Sequence, residues 1–336
     1  MLSTGFHTYH HGMGTGLPMA YLSVGDIEKK LFERFLPTDA LESDRFGLQV
    51  GDRKAIVTKI AISLDQSISM IDAAAALGCN LLVSHHPVFW VPPDSFLAAD
   101  SVAASNGARV YRAIQNGVAL LSMHTNLDCS PFAARMLLDP VGLEYTGPLR
   151  AHGTGSLGQV ARPAGGRSFI TLGELAENYR RSFSRVAKVW GSPNKPLFTI
   201  AACSGGGSEV IPDVIAAEVD CLVTGELRHH EALGLDESDI ALIELGHDIS
   251  ELSYRYYIQH ALISAGFPAG DIIILEPTAR WWQPGVIALE PEGQPEGQPV
   301  RAEGLVGLEG SGESRELGEF GVVAPTVEVS SDKTGE

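Results

Sequence analysis

Leu81-Leu82-Val83-Ser84-His85-His86-Pro87 is the stretch on which the fold turns. An unbroken apolar run of this length reads as a strand buried on both faces, as in the middle of a parallel sheet. Such strands deliver functional groups at their carboxyl ends, where the chain emerges into a crevice. Two imidazoles at that point, with a proline stiffening the exit, read as metal ligands. A pair of surface histidines at a strand–loop junction is the plainer alternative.

Upstream, residues 56–64 form a second apolar strand that stops at Asp65. Ser67 then caps a helix over 68–77, which Gly78 ends. Downstream, a helix over 103–116 closes at Gly117, and the strand 118–123 runs into His124-Thr125-Asn126-Leu127-Asp128. This alternation implies parallel strands joined by right-handed crossovers. Before it, Ile27, Leu31 and Phe35 mark one face of a helix over 24–35 that Pro37 stops. After it, residues 130–195 change character: Gly and Pro gather over 140–166, with a strand near 158–161 and an amphipathic helix over 172–183. The parallel pattern resumes with strands over 199–203, 220–225, 241–246 and 271–275 and a helix over 250–265. Ser204-Gly205-Gly206-Gly207-Ser208 follows the first of these. That run either lets backbone amides approach an anion or makes a tight strand-to-helix turn; it lacks the lysine and spacing of a P-loop.

The class that follows is α/β, with two lobes around a mostly parallel sheet and the site at the carboxyl ends of its strands. The expected organisation is a disordered N-terminal extension over 1–20, a discontinuous metal-binding α/β lobe over 21–129 and 196–282, and a smaller α+β lobe over 130–195. A disordered acidic, Gly/Pro-rich tail fills 283–336, where Glu-Gly-Gln-Pro occurs at 292–295 and again at 296–299. The tail is too poor in apolar residues to offset its ordering entropy. Met19 begins a more convincing start than Met1, so either is a candidate start codon.

With 336 residues, 44% of them hydrophobic, the chain can build one large or two ordinary cores. Its net charge of −17 argues against nucleic acid or an anionic membrane as a partner. Eleven acidic and three basic residues from Gln283 onward supply −8 of it, leaving an ordinary acidic surface elsewhere. Cys79, Cys129, Cys203 and Cys221 form no C-x-x-C pair and suit a reducing cytoplasm. No secretory signal and no membrane-length apolar stretch is found. The expected location is cytoplasmic.

Polar residues collect where the strands stop: Asp65; His85 and His86; His124 with Asp128; Glu226 with His229 and His230; and His247 with Glu251. In one parallel sheet these ends share a rim. His247 and Glu251, at i and i+4, lie on one face of a helix that begins after Gly246. Taken singly, an acid at such a place needs only the helix dipole to explain it. His85, His86, Asp128, His247 and Glu251 together give three imidazoles and two carboxylates, more than the roughly three ligands that one open catalytic ion uses. The set suits two divalent ions with a bridging carboxylate and a bridging water. Nitrogen and oxygen ligation without thiolate favours Zn, Mn, Fe, Co or Ni.

Ser84-His85-His86-Pro87, His124 to Asp128, Thr224-Gly225-Glu226-Leu227-Arg228-His229-His230-Glu231-Ala232 and Gly246-His247-Asp248-Ile249-Ser250-Glu251 resemble, in order and spacing, the Nif-three-like dinuclear metal centre proteins, often labelled GTP cyclohydrolase 1 type 2 homologs. Phe46 to Asp52 resembles that family's early motif. The likeness covers roughly residues 21–282. It departs at Arg45-Phe46 and at Asp248, which adds a negative charge beside the site. The resemblance implies two α/β lobes and a toroidal homohexamer. It also implies that His86 and Asp128 hold one ion, His85 and His247 the other, and that Glu251 bridges both.

The expected activity is metal-dependent hydrolysis of a nucleotide-like or heterocyclic small molecule, with Glu226, His124 or His229 moving protons. The alternative for these three is support of the ligating rings. A non-enzymatic ring that chaperones metal or scaffolds another protein is the rival function.

Overall fold

The computed structural model describes residues 22–98, 106–185 and 187–276. The segments expected to be disordered, 1–20 and 283–336, lie outside the described residues, as does the beginning of the helix expected from 103.

In the first sheet the apolar runs become strands with no exposed residue. β1 (Gly47–Val50), β2 (Ile60–Ser63), β3 (Leu81–Ser84), β4 (Ala119–Ser122) and β13 (Ile272–Ile274) make a five-stranded sheet in the order β1-β4-β3-β2-β13. β13, β2, β3 and β4 are parallel, and β1 lies antiparallel on the edge. Alternate side chains serve opposite faces. Ile60, Ile62, Leu81, Val83 and Leu121 join a core that includes Ile27 and Leu31 of α1 (Val24–Arg34). Ala61, Leu82 and Leu120 instead meet Ile71 and Ala74 of α2 (Ile68–Ala76) and Val110 and Ala113 of α3 (Asn106–Asn116). Helix starts follow local chemistry: Ser23 and Asp26 form a capping box on α1, and Ser67 accepts the Met70 amide at the head of α2. Gly78 (φ +74°) turns the chain out of α2 in a conformation that favours glycine.

A second sheet contains β5 (Leu143–His152), β6 (Gly155–Pro163), β8 (Lys188–Trp190), β10 (Ile200–Gly206), β11 (Cys221–Glu226) and β12 (Ala241–Glu244), in the order β5-β6-β10-β11-β12-β8. Only β10, β11 and β12 are mutually parallel; β5, β6 and β8 join antiparallel. One face carries α6 (Ile211–Ala216) and α7 (His229–Glu237), whose Val214, Ala232 and Leu235 meet Ala201, Leu222 and Leu242. The other face meets α5 (Leu172–Phe183) through Leu172, Leu175 and Tyr179, in a core shared with the first sheet. A small pair, β7 (Ile170–Thr171) with β9 (Pro196–Leu197), stands apart from both sheets.

The mixed α/β class is as expected, but the single rim is not. Two sheets, not one, bring the strand ends together. Apolar runs specify burial on both faces and leave the choice of neighbour open. The β5–β6 hairpin gives β10 an antiparallel partner and so starts a new sheet. The stretch 130–195, expected to form its own lobe, lends β5, β6 and β8 to that sheet, while β13 returns to the first. The helix expected over 250–265 is two helices, α8 (His247–Glu251) and α9 (Tyr254–Ser264).

Candidate metal centre

β3 and β4 run side by side with Ser84 opposite Ser122, so the residues that follow, His85-His86 and Met123-His124, emerge together. A single turn, α4 (Thr125–Asp128), then carries Asp128 back over the strand ends. From the second sheet, β12 leads through Gly246 (φ +96°) into α8, which opens with His247 and closes with Glu251. Glu251 is 3% exposed and sits at the middle of the cluster. Its Oε1 lies 3.6 Å from His85 Nε2, and its Oε2 lies 2.9 Å from His86 Nε2 and 3.2 Å from His247 Nε2. Asp128 Oδ1 is 3.6 Å from His85 Nε2.

The donor atoms form three overlapping groups among the described residues: His85, Asp128 and Glu251; His86, His247 and Glu251; and His85, His86 and His124; the first two share the Glu251 carboxylate. The family resemblance pairs His86 with Asp128 and His85 with His247; the side chains as they stand bring His85 Nε2 towards Asp128 and His86 Nε2 against Glu251 of α8.

Every ring is held by its other nitrogen. His85 Nδ1 donates to the Met123 carbonyl at 2.9 Å, His86 Nδ1 to Asp65 at 2.8 Å, and His247 Nδ1 to Glu226 at 2.8 Å. In the neutral ring, each Nε2 then presents a lone pair. Those lone pairs face carboxylate oxygens. Acceptor faces acceptor, and His85 Nε2, His86 Nε2 and Glu251 Oε2 are buried without a hydrogen bond among the described residues. Buried acceptors in that position call for a cation. Ligand bonds of about 2.0–2.1 Å in a tetrahedron set neighbouring donors about 3.3 Å apart. The 2.9–3.6 Å spacings above match that demand.

Without metal, protons take the cation's place. Burial disfavours the charged His86 ring, yet Asp65 and Glu251 outweigh it and push its pKa up to about 10. His247 rises to about 9, led by its contact with Glu251. Burial alone would raise the Glu251 pKa; the three imidazoles around it instead hold its carboxyl well below the usual range.

The glycine run makes room for this cluster. Gly205 (φ +63°) places its backbone against Glu251, where a Cβ would overlap Oε1, and its N–H donates to Ser250 Oγ at 2.9 Å. A Cβ on Gly225 would come within 2.9 Å of the His247 Cα. Of the two readings of residues 204–208, the structure thus shows a close backbone approach, with β10 running on to Gly206 before the next turn.

The other expected site residues divide. His124 lies within the cluster: one ring nitrogen comes within 4.8 Å of donors on His85 and His86, and its Nδ1 donates to Asp44 at 2.7 Å. Burial raises the Asp44 pKa, but the His124 and Thr125 contacts lower it overall. Glu226 is engaged by His247. His229 is exposed at the start of α7, its ring 5.7 Å from Trp190 on the edge strand β8, and belongs to neither donor set. Asp44 and the Met123 carbonyl escaped the sequence reading, and Ser204, noted there only as part of the glycine run, donates to Asp128 Oδ1 at 3.3 Å. Asp44 sits in an unpatterned Glu42-Ser43-Asp44-Arg45 stretch, and a carbonyl has no sequence signal at all. A pocket of about 220 Å3 opens beside the cluster, with His124, Asp128, His247 and Glu251 in its wall.

Residues 22–270 match the family model described as Duf34/NIF3 (NGG1p interacting factor 3). The chain belongs to the DUF34/NIF3 family. A Clostridium acetobutylicum relative named GTP cyclohydrolase 1 type 2 homolog is 29% identical over 224 residues, 65% of this chain and 81% of the relative. A Staphylococcus aureus hypothetical protein superposes with a TM-score of 0.70 at 20% identity, covering 79% of this chain and 99% of that one. A Bacillus cereus protein related to NIF3 superposes at 0.67 and 17% identity, covering 80% and 100%. These likenesses establish the DUF34/NIF3 fold. No described helix is long and apolar enough to cross a membrane.

Proposed function

We propose that this DUF34/NIF3 protein is a cytoplasmic, metal-dependent hydrolase holding two divalent ions per chain, drawn from Zn, Mn, Fe, Co or Ni. His85, Asp128 and Glu251 would hold one ion; His86, His247 and Glu251 would hold the other. One observation carries the reading: three imidazoles fixed as Nδ1–H donors aim their remaining nitrogens at the buried Glu251 carboxylate, and His85 also faces the half-buried Asp128. Two such ions, when bound, would supply a nucleophile near neutral pH and would stabilise the charge that develops on the substrate.

The protein's part is orientation and proton handling. Asp65 and Glu226 fix the His86 and His247 tautomers and raise their basicity as ligands. His124 lies in the pocket wall outside the two sets, with Nδ1 engaged by Asp44. That leaves Nε2 to take or give a proton. Glu226, bound to His247, serves as support, and His229 is given no role. The names of relatives suggest a nucleotide or related heterocycle as substrate.

Elemental analysis of the purified protein tests the centre. Two equivalents per chain are expected, with loss of at least one in Glu251→Gln at unchanged circular dichroism; full occupancy in that variant would refute the shared ligand. The homohexamer is proposed on the family resemblance, and sedimentation at the mass of about six chains would meet it.

A further inference from the structure

The pocket beside the cluster has two unlike ends. On the dinuclear reading, Asp128, His247 and Glu251 in its wall are ligands. Two divalent ions outweigh the two carboxylates that hold them, so this end is positive. Among the described residues, Glu209 lines the pocket with a further carboxylate, and no lysine or arginine lines it. Glu209 lies in the turn that joins β10 to α6, where the glycine run ends. Every residue of that turn is tied down. A Cβ on Gly207 would come within 2.6 Å of Thr224 Oγ1, so the backbone lies directly against β11. Ser208 donates to Glu231 Oε2 of α7 at 2.6 Å, and Val210 is buried.

Glu209 itself is gripped by Arg150 of β5. Arg150 Nη1 donates to Glu209 Oε1 at 2.9 Å, and Nη2 donates to the Glu209 carbonyl at 2.7 Å. Asp213 of α6 fixes the guanidinium in turn, accepting from Nε at 3.0 Å and from Nη2 at 2.6 Å. Two carboxylates against one guanidinium leave the group net negative. The Glu209 side chain is 57% exposed, an openness at which a glutamate ordinarily turns freely. Here Oε1 is held, and Oε2 accepts no hydrogen bond from another described residue. As a strut alone, so exposed an ion pair contributes little. A carboxylate that is both held and open is preorganised to accept from two adjacent N–H groups.

We infer that Glu209 determines specificity: it receives a pair of adjacent N–H donors, the edge of a cyclic guanidine or amidine, on a ligand whose anionic end meets the ions, and Arg150 is its positioning residue. The inference rests on the dinuclear reading for the positive end of the pocket, and it names the ligand edge which that reading leaves open.

Guanosine and inosine 5′-monophosphates are the matched probes. They share the phosphate and differ only in the exocyclic amine that completes the donor pair. Calorimetry is run on the full chain after incubation with zinc, with metal content measured separately. The guanosine nucleotide should bind about tenfold more tightly than the inosine nucleotide. Glu209→Gln should bring the two within about twofold of each other, at unchanged metal content and circular dichroism. Arg150→Gln keeps the carboxylate but frees it, and should cut the preference at least about threefold. A strut would instead lose stability in both variants and leave the preference untouched. Equal affinity for the two nucleotides, binding of neither, or an unchanged preference in Glu209→Gln would overturn the inference; an unchanged preference in Arg150→Gln would overturn the positioning role. Two metal equivalents without the preference would sink this inference alone. The preference in protein that takes up no metal would sink the dinuclear reading alone.

Discussion

Gly205→Ala tests whether glycine backbone holds the shared carboxylate in place. The substitution has two separable costs. A φ of +63° is left-handed backbone, which costs an alanine about 1–2 kcal/mol. The new methyl would also overlap Glu251 Oε1, with Glu251 Cδ at 3.4 Å and His247 Cε1 at 3.5 Å behind it. Glu251 is too buried to swing into solvent, so its carboxylate must shift off the donor sets it shares. Ligand-orienting groups are worth about 10–100-fold in metal affinity, and a displaced bridging ligand should cost at least that much. Gly117→Ala is the control: its φ is +67°, but nothing lies within 4 Å of the added carbon. Both variants should lose about 1–2 kcal/mol in urea melts of the metal-free protein. Only Gly205→Ala should fail in competition against a chelator of known affinity. Metal affinity in Gly205→Ala within about twofold of Gly117→Ala would refute the reasoning.

Asp65→Asn should leave the fold intact and weaken metal binding about 10–100-fold, read by the same chelator competition, because the His86 tautomer is no longer fixed by a carboxylate. His86 and His247, raised from 6.5 to about 10 and about 9, should both be protonated in the metal-free protein at pH 7. Metal loading should then release about two protons per chain, measured by calorimetry in buffers of different ionisation enthalpy. For the same groups, a folded pKa above the unfolded value means stabilisation that is complete below about pH 6.5 and lost as pH rises through about 9 to 10, so urea melts of the metal-free protein should weaken across that window. His124→Gln should keep both metal equivalents and lower turnover of whatever substrate is found by about 100-fold or more.

The strands that carry the cluster were readable because each combines an apolar run with an abrupt polar stop. Leu81–Ser84 before His85 and Ala119–Ser122 before Met123-His124 both behave in this way. The His247–Glu251 turn was readable from i, i+4 spacing alone. The division into two sheets was not, since hydrophobic pattern reports how deeply a strand is buried and is silent about its neighbour. β13 and β6 were placed by contacts far away in sequence. The nearness of the His85 ring to Asp128 likewise has no signal in the sequence, because adjacent residues leave a strand on opposite sides and only the surroundings say which side is which. His229 had the right residue type in the right motif, but its helix turns it towards Trp190.

Each of the two donor sets that share Glu251 draws from both halves of the molecule: His85, His86 and Asp128 follow strands of the first sheet, while His247 and Glu251 follow β12 of the second. On the proposed dinuclear reading, a cation in either set would act as a rivet between two sheets that already share one core. Chelation would then loosen their docking as well as empty the site, so that the grip on metal and the fit of the two sheets are thermodynamically linked.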